Sequence, residues 1–269
     1  MLIPRPERRK RSGGPERTFW MRYNVRYRPS GVSYSGFFPP GVKWLLIVNA
    51  IAFVVYFLSY DTWIGGLLGY FKLYPRMVVS YLAVWQLVSY MFLHAGLAHL
   101  FFNMIGLWMF GAELERTWGT RKFLQFYFLC GAGAGVCVVL VDLLTGSPNI
   151  PTIGASGAIF GVLLAYGMLF PDNPIWVWFL FPVKAKWFVL GLGVINFLYL
   201  VKSPGSGVSH VAHLGGMLIG YLYLRSRYTR VDILGELRQK HREWKTQRAK
   251  RKFQVYMKKH NSDRDRWTH

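Results

Sequence analysis

The sequence predicts an all-α fold: a polytopic membrane helix bundle with six transmembrane helices and an interfacial element in the first external loop. Three observations predict it. Six apolar segments each approach the ~20 residues needed to cross ~30 Å of hydrocarbon. Of the 269 residues, 52% are hydrophobic and 17% aromatic, against 17% charged. The formal net charge of +21 is concentrated at the ends, with +17 in residues 1–40 and 225–269 together and only +4 in 41–224. Taken whole, such a basic balance suggests nucleic acid or an anionic surface. Divided this way, it describes a nearly lipid-like body between two basic tails. A soluble globular domain, a disordered chain and a disulfide scaffold are excluded. The expected organisation is a cytoplasmic N-terminal tail over 1–40, a six-helix membrane domain over 41–224 and a cytoplasmic C-terminal tail over 225–269.

The segments follow in order. The first is about 42–60, GVKWLLIVNAIAFVVYFLSY, and the second about 90–113, containing LAHLFFNMIGLWMFGAE. The third is about 121–143, KFLQFYFLCGAGAGVCVVLVDLL, and the fourth about 155–170, ASGAIFGVLLAYGMLF. The fifth is about 185–201, AKWFVLGLGVINFLYLV, and the sixth about 208–224, VSHVAHLGGMLIGYLYL. In lipid each must be helical, because the backbone has no water to bond. The connection over 61–89 is long, apolar and aromatic. It fits an element lying in the interface, anchored by Trp63, Tyr70, Tyr81 and Trp85. A seventh span there would put the basic tails on opposite sides.

An even number of spans puts both termini on one side, and their charge makes that side cytoplasmic. The short loops agree in part: Arg116, Arg121, Lys122, Lys184 and Lys186 fall inside, and Lys72, Arg76 and Lys202 outside. The N-terminus MLIPRPERRKRSGG is basic and lacks a long apolar run, so no cleavable signal is expected. Cys130 and Cys137, seven apart in one apolar segment, are poorly placed for a disulfide.

Polar groups inside spans are costly and tend to be functional. His94 and His99 flank the start of the second span, and Asn103 lies within it. Ser156 opens the fourth, and His210 and His213 open the sixth. Three helices thus bring polar groups to one depth, the outer end in the expected topology. His99 and Asn103 are i and i+4, and His210 and His213 are i and i+3, so each pair shares a helix face. Ser156 stands in Gly154-Ala155-Ser156-Gly157, where the first N–H groups of a helix lack partners and suit an oxyanion. From Ser156 to Phe170 is about 22 Å of helix, short of the hydrocarbon core. The serine therefore lies below the outer surface and needs a water-filled pocket. Gly157 and Gly161, and Gly216 and Gly220, form two GxxxG pairs that allow close helix approach; generic packing accounts for either pair alone. A close fourth–sixth crossing would bring Ser156 Oγ within reach of an imidazole.

These residues resemble the rhomboid intramembrane serine proteases. The family pattern H-x4-H-x3-N, G-x-S-G and A-H-x-x-G stands here as His94-AGLA-His99-LFF-Asn103, Gly154-Ala155-Ser156-Gly157 and Ala212-His213-Leu214-Gly215-Gly216. The resemblance covers about 42–224. It implies a Ser–His dyad with Ser156 as nucleophile and His213 as general base, preferred over His210. It implies an oxyanion site made by the Ser156 N–H with the His99 and Asn103 side chains. His94, Gly154 and Gly157 would support the site, and Phe160 would stack on the catalytic histidine. Glu115 and Gly119 resemble the family's Glu and Gly after the second span, read as a cytoplasmic cap and turn. Gln86 stands where the family has Arg after Trp85, which puts that Arg's role in anchoring the loop in doubt.

The implied function is an intramembrane serine endopeptidase that cleaves in or near transmembrane segments of membrane proteins at the outer side, with substrate helices passing the fifth helix. No cofactor and no metal are expected. Two other classes compete. Four histidines could hold zinc, but no HExxH and no nearby acid supplies a general base. A non-catalytic binder or chaperone of membrane helices would show no Ser- or His-dependent cleavage. A transporter is disfavoured by the lack of inverted repeats. The partners expected are transmembrane protein substrates and the bilayer, with anionic lipids at the basic tails and no nucleic acid. The expected location is the cell (inner) membrane, as a multi-pass protein.

Overall fold

The computed structural model describes residues 38–146, 149–177, 180–202 and 209–226, with 241, 244–246 and 248 beyond them. The N-terminal tail to residue 37 and most of the basic C-terminal stretch lie outside the described residues. Residues up to Gly220 form one compact unit and those from Tyr221 another. In the second unit Trp244 stacks on His241 with ring centroids 6.0 Å apart and lies 5.2 Å from the Arg248 guanidinium.

The first unit is a helical membrane body. Helix α1 spans Pro40–Leu58. Three short helices follow: α2 over Trp63–Gly69, α3 over Pro75–Ser80 and α4 over Gln86–Ser89. Helix α5 runs Leu97–Trp118, with a π turn at Leu107–Gly111. Helix α6 spans Thr120–Leu144, α7 Ser156–Leu169 and α8 Ala185–Lys202. Residues 210–226 are helical, and the part up to Gly220 is the α9 of this unit. Four of these, α1, α5, α6 and α8, are long and apolar enough to cross a membrane. Helix α7 is as apolar but has only 14 residues, or about 21 Å. Large apolar side chains such as Trp44, Phe57, Trp187 and Phe197 are exposed along α1 and α8, as a lipid-facing surface requires. The protein is therefore an integral membrane helix bundle.

The expected segments and the observed helices agree within a few residues except at the second. That helix starts at Leu97, not near 90, because residues 90–92 form a separate 3-10 turn and the chain extends at Gly96. It then continues through the charged AELERTW to Trp118. The described body also contains one element outside the all-helical expectation. Strands β1 (Pro174–Val177) and β2 (Phe181–Lys184) pair antiparallel, Ile175 opposite Val183. Pro171 and Pro174 stop the helical run after α7. Asp172 closes the hairpin onto Lys184 and Lys186, at 3.3 and 3.1 Å. The Lys186 and Lys184 ammonium groups hold its carboxyl below the usual carboxylate range.

Helix α6 forms the centre. Phe123, Phe126, Tyr127, Cys130, Ala134 and Val138 along it are fully buried, and α7 packs along its length. Between apolar helices in lipid the hydrophobic effect supplies little, so polar clamps and small-residue contacts carry much of the assembly. One clamp is Glu115, buried to 2% exposure. Its carboxylate accepts from the Gly41 and Val42 N–H groups at 2.8 and 2.7 Å and from the Thr120 hydroxyl at 2.6 Å. It thereby caps the orphan donors at the start of α1 and ties α1, α5 and α6 together. Glu115→Ala leaves those buried donors unpaired and should cost about 2–4 kcal/mol. Thermal unfolding in detergent checks it, and an unchanged midpoint would refute the clamp.

The segment 61–89 contains no helix of spanning length. Trp63, Tyr70, Tyr81 and Trp85 are all exposed on it. Gln86, in the family's Arg position, points inward and is fully buried. Its Oε1 accepts from the Tyr74 N–H at 2.9 Å, and its Nε2 donates to the Tyr70 carbonyl at 2.9 Å. Gln86 thus holds the loop from within. Leu73 in turn pairs with Thr152 through two backbone hydrogen bonds of 3.0 and 2.9 Å. That pairing fixes the 61–89 loop to the stretch of chain leading into α7.

Candidate active site

The site begins at the turn into α7. Gly154 has φ +117°, a conformation that side chains resist. A Cβ there would also lie 2.7 Å from His99 Nε2. Tyr90 pins this turn. Its carbonyl accepts from the Gly154 N–H at 2.9 Å, and its hydroxyl donates to the Gly131 carbonyl of α6 at 2.8 Å. The reversal makes Ser156 the first residue of α7, beside N–H groups with no intrahelical acceptor.

The start of α9 is fixed by its own cap. The Ser209 hydroxyl accepts from the Ala212 N–H at 3.3 Å, the usual N-cap bond. His210 and His213 then share one side of the first turn. The two GxxxG pairs supply the crossing. A Cβ on Gly216 would fall on the Gly157 carbonyl, and one on Gly161 would lie 3.0 Å from the Gly216 carbonyl oxygen. A Cβ on Gly220 would meet Gly161 Cα at 3.3 Å. The backbones of α7 and α9 therefore touch.

That contact brings Ser156 Oγ and His213 Nε2 to 2.8 Å. The two residues are half-buried. Phe160, one turn on from Ser156, lies flat on the His213 ring, with centroids 4.1 Å apart and planes within 6°. His99 lies against Gly154. The Ala95 N–H donates to His99 Nδ1 at 3.4 Å, which leaves the ring hydrogen on Nε2, the nitrogen facing the turn. His94 precedes α5 and is buried behind His99, the rings edge-to-face at 5.1 Å. Asn103 is buried, and its Nδ2 donates to the His99 carbonyl at 2.9 Å. It makes no hydrogen bond to Ser156.

Two residues at the site escaped the sequence reading. Tyr90 is one. Asn196, in the middle of α8, is the other. Its Oδ1 lies 2.7 Å from His213 Nδ1 and 2.9 Å from His210 Nδ1. Its Nδ2 donates to the Leu192 carbonyl at 2.8 Å, which fixes the amide with its oxygen toward the imidazoles. Both Nδ1 atoms therefore donate, and His213 Nε2 is left to accept from the Ser156 hydroxyl. An asparagine in an apolar span is the signal that was available.

Apolar helices around a half-buried serine and imidazole define a membrane-embedded protein with a polar site inside its bundle. A family model described as the Rhomboid domain matches residues 81–229, more than half of the chain. The protein belongs to the rhomboid family. It is 28% identical over 193 residues to the "Putative rhomboid protease YdcA" of Bacillus subtilis (strain 168), covering 68% of this chain and 86% of that one. It is 32% identical over 142 residues to the "Rhomboid protease GluP" of the same organism, covering 51% of this chain and 25% of that one. It is 33% identical over 157 residues to the "Rhomboid protease AarA" of Providencia stuartii, covering 51% of this chain and 54% of that one. The chain thus spans only a quarter to a half of two of these relatives.

Proposed function

We propose that the protein is an intramembrane serine endopeptidase acting on transmembrane segments of other membrane proteins. The 2.8 Å contact between Ser156 Oγ and His213 Nε2 carries the reading. It joins side chains 57 residues apart in sequence on two different helices. In the proposed reaction Ser156 Oγ attacks the scissile carbonyl carbon, and its proton passes to His213 Nε2. The imidazolium then returns that proton to the leaving amide nitrogen, and the C–N bond breaks. Water then attacks the Ser156 acyl ester, giving a proton to His213, and His213 returns that proton to Ser156 Oγ as the ester C–O bond breaks. In this reading the Ser156 N–H and the His99 and Asn103 side chains are the donors to the tetrahedral oxyanion. Flat stacking by Phe160 holds the His213 plane.

The basic tails support cytoplasmic termini, which puts the site at the outer side of the membrane. They also suit contact with anionic lipid. The test is reconstitution into lipid vesicles with a tagged single-span reporter. Wild type should release a fragment cut near the outer end of the reporter helix. A fluorophosphonate probe should label the protein, and peptide mapping should find the adduct on Ser156. Reporter binding with neither cleavage nor labelling would instead identify a binder of membrane helices.

A further inference from the structure

We infer that Asn196 is a positioning residue for His213, so that the working unit is Ser156–His213–Asn196 and not a serine–histidine pair alone. The inference rests on the protease reading above. A general base needs its accepting nitrogen aimed at the nucleophile and its hydrogen on the other nitrogen. Phe160 stacking fixes the plane of the ring but leaves it free to rotate within that plane and to exchange tautomers. Asn196 removes both freedoms. Its oxygen accepts from Nδ1–H at 2.7 Å, while Nε2 meets Ser156 Oγ at 2.8 Å. The Leu192 carbonyl, at 2.8 Å from Nδ2, prevents the amide from turning over. The three groups lie in line across three helices, α7, α9 and α8.

The chemistry suits an amide. As Ser156 attacks, the imidazole becomes a cation, and the Nδ1–H···O bond strengthens. A neutral oxygen gives this help without leaving a buried anion in the resting protein, where it would be costly. A cysteine–histidine–asparagine arrangement uses an amide in the same role. His210 shares the acceptor at 2.9 Å and stacks on Tyr199 of α8 at 5.5 Å, which fastens the start of α9 to α8. Helix α8 is also the least buried of the four long apolar helices, with 17% of its window buried. The orientation of His213 thus depends on the seating of the most lightly held span.

The test uses the full-length protein in lipid vesicles with the single-span reporter, comparing wild type, Asn196→Ala, Asn196→Leu, Asn196→Asp and Ser156→Ala. Leucine keeps the volume and removes the acceptor. Kcat should fall about 10- to 100-fold in the alanine and leucine variants, with KM within about twofold and the unfolding midpoint of the leucine variant near wild type. The titratable groups acting on His213 among the described residues are His210 and His99. An aspartate at 196 therefore introduces a negative charge facing the imidazolium. It should restore most of kcat and move the acidic limb of the kcat–pH profile upward by about one unit. Wild-type kcat in the leucine variant overturns the inference, as does a loss that tracks the unfolding midpoint with no pH shift in the aspartate variant. Undiminished cleavage by Ser156→Ala would instead overturn the protease reading itself.

Discussion

Ser156→Ala and His213→Ala should each reduce reporter cleavage to background, a loss of at least about 10³-fold in kcat. The double variant should be no worse than either single one. Non-additivity is the informative part. The hydroxyl is a poor nucleophile without a base, and the base has nothing to deprotonate without the hydroxyl. On the proposed mechanism the two residues act through one 2.8 Å contact and should fail together. His210 is the control for the choice of histidine. Its Nδ1 shares the Asn196 oxygen, but the nitrogen that meets Ser156 belongs to His213. An inactive His210→Ala beside an active His213→Ala would reverse the assignment. Undiminished cleavage by Ser156→Ala would remove the serine mechanism altogether, and chelator-sensitive cleavage would then point to a metal.

Much of this site was legible in the chain because it sits at helix starts. Ser156, His99, His210 and His213 each open or nearly open an apolar segment, so the expectation of a common depth came from their places in the chain. The glycine pairs were legible as spacing, but whether they met each other was not. Two glycines four apart fit any close neighbour, and only the packed helices show Gly157 against Gly216. Asn196 was missed for the opposite reason. It lies well inside its span, away from the helix ends, and its partners are on another helix. Asn49 on α1 is a similar case, a buried amide whose Nδ2 is held by its own helix through the Leu45 carbonyl at 2.8 Å. The hairpin at 174–184 escaped because IWVWFLFPVK is apolar on successive residues. A short two-stranded ribbon leaves no alternation in such a run. The start of α5 was misplaced because apolar composition marks depth in the membrane, while the helix begins where the backbone permits. The apolar run continues through residues 90–96, but the chain turns there before α5 starts.

Gly216→Ala should reduce cleavage about 100-fold or more and destabilise the bundle by about 1–3 kcal/mol. The added methyl would fall on the Gly157 carbonyl and within 2.8 Å of its carbon. Both atoms are backbone in the first turn of α7, so no side chain can yield. The helices must separate, and Ser156 sits one residue before the point of contact. A hydrogen bond of 2.8 Å tolerates only a few tenths of an ångström before it weakens. The separation therefore acts on the Ser156–His213 geometry before it unfolds the protein. This makes a sharper prediction than loss of stability alone. At temperatures well below its lowered midpoint, the variant should remain folded and should still lose fluorophosphonate labelling at Ser156. Gly191→Ala on α8 is the matched control, because a Cβ there meets nothing within 4 Å and alanine favours the helix. It should keep its midpoint and its labelling. Wild-type labelling in folded Gly216→Ala would mean that the α7–α9 contact serves assembly only. Loss of labelling without loss of fold would show that the smallest residue in the crossing sets the distance on which the chemistry depends.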